Sequence, residues 1–140
     1  MFDETITLFN RRGDEWYPTV IEGVQLNTDR GSITARYGRE CEDRAVLLAP
    51  YADDDVVAGK TYLEPKKWRR LDEPGAFITF AGGEDFDFFL AGAWEGAGPV
   101  DDADFPRGFY DHMNRARDGV YAVTSVSKFN TIPHLEVTGR

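Results

Sequence analysis

FPRGFYDHMNRARDG, residues 105–119, runs straight into VYAVTSVSKFNTIPHLEVTGR, residues 120–140. The join between these two stretches decides how the chain is read. In the first, Phe105, Phe109, Met113 and Ala116 fall at i, i+4, i+8 and i+11, one apolar stripe of helical period. Asp104 stands where an N-cap belongs, Pro106 just inside the start and Gly119 at the C′ stop. A helix is therefore predicted over about residues 105–118. The second stretch is almost pure strand pattern: residues 120–126 and 135–137 read as closing strands, joined by a connection that contains Pro133. A helix followed by such strands makes the C-terminus part of the fold, with a sheet edge as its expected place.

Upstream, the same pattern repeats without a second long helix. Residues 5–9 (TITLF) and 17–27 (YPTVIEGVQLN) are strand candidates, and RRGDE at 11–15 between them is turn chemistry, so the two form a hairpin. Val20, Glu22, Val24 and Leu26 share one face of the longer strand by alternation. A glutamate on that face, followed by Gly23, points to a bulge or bend. Residues 32–37 (SITARY) are a weaker strand and 38–43 (GRECED) an exposed loop. Residues 44–51 (RAVLLAPY) are a third good strand, ended by Pro50 and the acidic loop 53–55, with a short strand over 60–63. Pro65 opens one or two helical turns near 65–71, with Trp68 and Leu71 on one side. AFITF (76–80) and FDFFL (86–90) flank Gly82-Gly83, a hairpin signal. In the second of these, Phe86, Phe88 and Leu90 alternate with Asp85 and Asp87 as in a half-buried strand. Residues 91–99, with three glycines around Trp94 and Glu95, are loop. The fold class is mainly β: one domain over 1–140, a small β-barrel or two-layer β structure, with the helix covering one opening.

Composition bounds the function. The chain has 140 residues, 41% of them hydrophobic and 14% aromatic, enough for one aromatic-rich core and against disorder. A net charge of −9 opposes general nucleic-acid binding, whose affinity comes from cations on phosphates. The single cysteine, Cys41, cannot form an internal disulfide and suits a reducing compartment. No apolar run approaches membrane-spanning length, and MFDETITLF has no signal-peptide pattern, so the expected compartment is cytoplasm.

The chemistry-bearing residues are sparse. Asp53, Asp54 and Asp55, and Asp101, Asp102 and Asp104, could offer oxygens to a hard cation, but neither cluster has calcium-loop spacing. His112 and His134 are isolated and cannot complete a zinc site unaided. Cys41 lies among carboxylates, which raise a thiol's pKa. There is no G-x-S-x-G, and neither glycine-rich stretch matches a phosphate-binding loop. No cofactor, metal or catalytic residue is therefore expected. Lys66, Lys67, Arg69 and Arg70 around Trp68 form the one basic patch. On an acidic chain such a patch suits head-to-tail self-association, where unlike charges meet. The expected subunit interface thus pairs Lys66, Lys67, Arg69 and Arg70 with Asp53, Asp54 and Asp55.

FDETITLFN at the start, EWYPTVIEGVQLNTDR after it, then YLEPKKW, DFDFF, GFYDHMN and the closing VYAVTSVSKFNTIPHLEVTGR occur in order over nearly the whole chain. In these phrases the chain resembles small structural proteins of tailed bacteriophages and prophages from the head–tail connection module: head-completion, stopper and adaptor proteins, sometimes called minor capsid proteins. The resemblance implies a β-barrel-like protein that assembles into a ring on a portal or adaptor partner and meets tail proteins. It implies no catalysis, no cofactor, no membrane, and at most passive contact with packaged DNA. Assembly would take place in the host cytoplasm and end in the virion. Two other functions compete. A small ligand-binding barrel requires an enclosed apolar pocket. A small hydrolase with a hidden acidic site requires a pair of buried carboxylates with raised pKa.

Overall fold

The computed structural model describes residues 3–29, 44–96 and 98–140, with backbone only at Asp29 and Asp54. The expected strand at 32–37, the loop at 38–43 and Cys41 lie outside the described residues. In chain order the strands are β1 (Glu4–Arg12), β2 (Glu15–Asp29), β3 (Arg44–Pro50), β4 (Val56–Val57), β5 (Lys60–Tyr62), β6 (Phe77–Ile78), β7 (Phe88–Ala91), β8 (Val100–Asp101), β9 (Val120–Phe129) and β10 (His134–Gly139). The helices are α1 (Pro65–Arg69) and α2 (Phe109–Ala116).

β1 and β2 are the longest hairpin. Their turn is only Gly13 and Asp14, with Arg12 opposite Glu15. Gly13 takes φ +61°, the left-handed backbone that a two-residue hairpin turn demands. The bulge expected in β2 is present: Gly23 has φ +74°, and the pairing slips from Thr5 opposite Glu22 to Glu4 opposite Val24. The slip also corrects the expected facing. One extra residue inverts the parity of a strand, so Ile21 and Val24 are both buried while Val20 is 37% exposed and Glu22 faces solvent.

Beyond the bulge β2 leaves β1 and pairs with β3, which pairs with β10. β10 pairs with β9, β9 with β7, and β7 returns to β1. Every one of these pairings is antiparallel, and the six strands close into a barrel. Closure corrects one expectation: the last strand is not at an edge but lies between β3 and β9. A closed sheet has no free edge to leave it on. Ile6, Leu8, Ile21, Leu47, Phe89, Tyr121, Leu135 and Val137 fill the interior. Gly139 faces the same interior, where a Cβ would come within 3.1 Å of Phe89 and 3.0 Å of Tyr121. The missing side chain makes room for the Phe89 ring and the Tyr121 Cβ.

The antiparallel registers bring the β1–β2 turn, the end of β3, the start of β7 and the β9–β10 turn to the same end of the barrel. The chain between β3 and β7 closes that end. There β4 and β5 pair antiparallel and β5 and β6 parallel, and Val57, Tyr62, Ile78 and Phe80 join the barrel's own buried cluster. On α1, Trp68 is fully buried, its ring 5.9 Å from Tyr17 and its indole N–H donating to Phe77 O. The hairpin expected between 76–80 and 86–90 does not form. β7 buries Phe89 in the barrel and Phe88 and Leu90 on its outer side. A strand buried on both faces belongs inside a wall, not in a two-stranded ribbon.

α2 does not cover an opening. It lies on the outer side of the β1–β7–β9 wall, where Phe109 and Met113 pack with Phe9, Trp16, Phe88, Leu90 and Val120. It is also shorter than expected. Asp102 accepts a hydrogen bond from the Phe109 N–H at 2.8 Å, so the helix starts there, after Gly108 at φ +90°. Asp104 and Pro106 therefore precede the helix. Phe105 keeps its place against Phe109, 5.1 Å away, but Ala116 is exposed. Gly119 is not the helix stop. It turns the chain into β9 at φ +76°, its carbonyl accepting from Ala91 N–H. Phe109, 1% exposed, is the main anchor of this layer. Phe109→Ala should cost about 3–5 kcal/mol of stability, measured by urea unfolding. An unchanged midpoint would place its ring outside the core.

Candidate functional site

The closed end of the barrel concentrates the polar chemistry, and Asp87 lies at its centre. It is only 1% exposed. One carboxylate oxygen accepts from the Arg11 N–H at 2.8 Å, the other from the Asn10 amide at 2.9 Å and the Ala81 N–H at 2.8 Å. The same Asn10 amide donates to Thr79 O at 2.6 Å. Backbone bonds from Asp87 N–H to Ala81 O and from Val123 N–H to Asp87 O complete the knot. Burial pushes the Asp87 carboxyl up to about 7, against the pull of the Arg11, Ala81 and Asn10 donors and the Arg69 charge. Alternation expected Asp87 on the solvent side. Its parity with Phe89 turns it inward instead, and only its position between aromatics (FDFF) hinted at burial.

Above this knot Arg11, Arg12 and Arg69 line a groove of about 280 Å³ with Gly13 and Asp85. The Arg11 guanidinium sits 5.3 Å over the Trp16 ring, and its Nε–H donates to Gly13 O at 3.2 Å. Arg69 donates to the Asp85 carbonyl at 2.7 Å. Of the expected basic patch, Arg69 thus enters the groove, while Lys66 and Lys67 on the same short helix and Arg70 just after it are exposed. By sequence Arg11 and Arg12 are turn residues. Adjacent arginines beside a hairpin turn were the available signal. Asp102, 4.0 Å from the Arg11 guanidinium, also accepts from the Trp16 indole N–H at 2.9 Å. Burial raises its pKa, but the Trp16 and Phe109 donors and the Arg11 charge outweigh that and lower it overall. Of the second acidic cluster, then, Asp102 is a structural cap, while Asp101 and Asp104 face solvent.

The acidic turn of Asp53, Asp54 and Asp55 lies at the same end, beside the β9–β10 turn. Asp55 pairs with Lys128 at 2.8 Å, a bond that raises the Lys128 pKa. The Tyr51 hydroxyl is 2.8 Å from Phe129 O and 2.6 Å from Asn130 Oδ1. Tyr51, Asp53, Asp55, Asn130 and Pro133 line a second groove of about 290 Å³. Next to it Ile132 is 74% exposed and Phe129 43%. His134 stacks on Phe129 at 4.8 Å. The other histidine, His112, is exposed on α2 against Phe105, 4.7 Å away. Among the described residues no three His, Cys, Asp or Glu side chains gather to hold a metal, and no helix is long and apolar enough to cross a membrane.

The molecule is thus a closed six-stranded antiparallel barrel, packed inside and stoppered at one end by its own chain, with charged grooves flanking the stopper. The chain belongs to a family of unknown function, DUF6751, whose match spans residues 1–140. No curated protein and no solved structure matches it.

Asp87 gives this end a distinctive pH dependence. Between its ordinary value of 3.8 and the folded value of about 7, the folded chain holds a proton that the unfolded chain has lost. The Asp87 contribution to stability is therefore fully present below about pH 4 and is lost as pH rises towards 7. In urea unfolding, the stability of the native chain relative to Asp87→Asn should fall by about 2–3 kcal/mol between pH 5 and pH 8. A difference that grows with pH would mean that the three N–H donors outweigh burial.

Proposed function

We propose that the protein is a structural component of a tailed-phage or prophage particle, acting by ring assembly at the head–tail interface as a head-completion, stopper or adaptor protein. Its partners in this reading are a portal or adaptor ring and tail proteins, with copies of itself around the ring. It works in the host cytoplasm during assembly and then in the virion, without catalysis.

The observation that carries this reading is the distribution of exposed and buried groups. Side chains of the described residues fill the barrel interior, which weighs against a ligand chamber. Among the described residues Asp87 is the only buried carboxylate, its oxygens taken by the fold's own N–H groups, which weighs against a catalytic acid pair. What the molecule offers instead is surface: the exposed Phe129 and Ile132 beside the acidic groove, with the arginine groove at the same end. Surfaces of that kind serve assembly. A charge of −9 also suits a wall along which DNA slides without binding.

Disruption of the gene should leave unjoined heads and tails, and mass spectrometry of purified particles should find the protein in them at ring stoichiometry. Normal particle yield without it, together with its absence from particles, would refute the assignment.

A further inference from the structure

The two charged grooves lie on opposite flanks of the barrel. Around it the strands run β1, β2, β3, β10, β9, β7. β1 therefore faces β10 across the barrel, and β2 faces β9. The arginine groove sits at the β1–β2 turn and the acidic groove at the β9–β10 turn. The two are diametrically opposed, yet at the same end. The first brings together three guanidinium groups from two elements. The second presents Asp53 beside the exposed Ile132 and Phe129, while Asp55 in the same groove is tied to Lys128. Of the large hydrophobic residues exposed among the described residues, the only other is Val20 at 37%.

We infer that the arginine groove of one copy receives the acidic β9–β10 flank of a second copy. This rests on the assembly reading above and names the contact it would use. Guanidinium forks match carboxylates in geometry as well as charge, and Arg12 and Arg69 are the groove's outer cations. Asp53, exposed and adjoining the apolar tip, is the carboxylate best placed to enter. Ile132 and Phe129 supply the apolar part of the contact, which the charges alone would lack. Because the two surfaces differ, the contact is heterologous and repeats from copy to copy. Because both lie at the same end, successive barrels stand side by side, the arrangement of a ring rather than a stack. The self-repulsion of chains at −9 keeps the contact weak between free copies and leaves ring closure to a preformed partner.

Covalent trapping reads such a weak contact directly. On a Cys41→Ser background, Asp14→Cys beside the arginine groove and Thr131→Cys on the apolar tip are combined in one chain and oxidised. The expected result is a ladder of disulfide-linked oligomers. Each single-cysteine chain should stay monomeric. Arg12→Glu should abolish the ladder, and adding Asp53→Arg should restore it by swapping the charges. No ladder, or efficient dimers from either single-cysteine chain, would overturn the contact. So would binding of a short duplex DNA that Arg12→Glu abolishes, since the groove would then serve phosphates. A protein present in particles without the ladder refutes this contact alone. A ladder from a protein absent from particles refutes the phage assignment alone.

Discussion

A single buried carboxylate holds the closed end of this barrel together. Asp87 draws in N–H groups from β1 and from the chain just after β6, and its backbone joins β7 to β9. Burying an ionised group without partners costs several kcal/mol or more. The donors do not cancel that cost, and the raised pKa records what remains. The arrangement therefore contributes specificity rather than bulk stability. Segments that could slide past one another are fixed at one register because only that register gives the carboxylate its donors.

That constraint sets what surrounds it. With Ala81 and Asn10 fixed, Phe80 and Ile78 enter the barrel cluster, and β7 is fed into the wall between β1 and β9. The wall then has two buried faces. Phe89 points into the barrel, whereas Phe88 and Leu90 meet Phe109 and Met113 of α2. Asp102 does for this outer layer what Asp87 does for the inner one, joining β2 through Trp16 to the start of α2. Arg11 is held by both carboxylates, its backbone N–H on Asp87 and its guanidinium 4.0 Å from Asp102.

Local pattern made most of the walls legible. Alternation and β-branched residues located β1, β2, β3, β9 and β10, and Gly23 announced the bulge. Pro65 and Trp68 marked α1, and the Phe109–Met113 spacing marked the outer helix. What failed was tertiary in origin. The helix start moved because its cap, Asp102, comes from further upstream than Asp104. The facing of Val20 was lost because a bulge inverts parity. Gly82-Gly83 mimicked a hairpin because the pairing of β7 is decided by strands far away in sequence. Of the residues expected at an interface, Lys66, Lys67, Arg69, Arg70 and Asp53 are exposed. The sequence could not show that Arg11 and Arg12 join Arg69, nor that Asp55 is held by Lys128, because those groupings arise only on closure of the barrel.

Asp87 is a buried acceptor that locks the stopper to the barrel. Amide hydrogen exchange tests it directly, because the Arg11 and Ala81 N–H groups owe their protection to that carboxylate. Both should exchange as slowly as the amides of Leu8 and Phe89, only when the whole domain opens. Rapid exchange at Arg11 and Ala81, with Leu8 and Phe89 still protected, would contradict it.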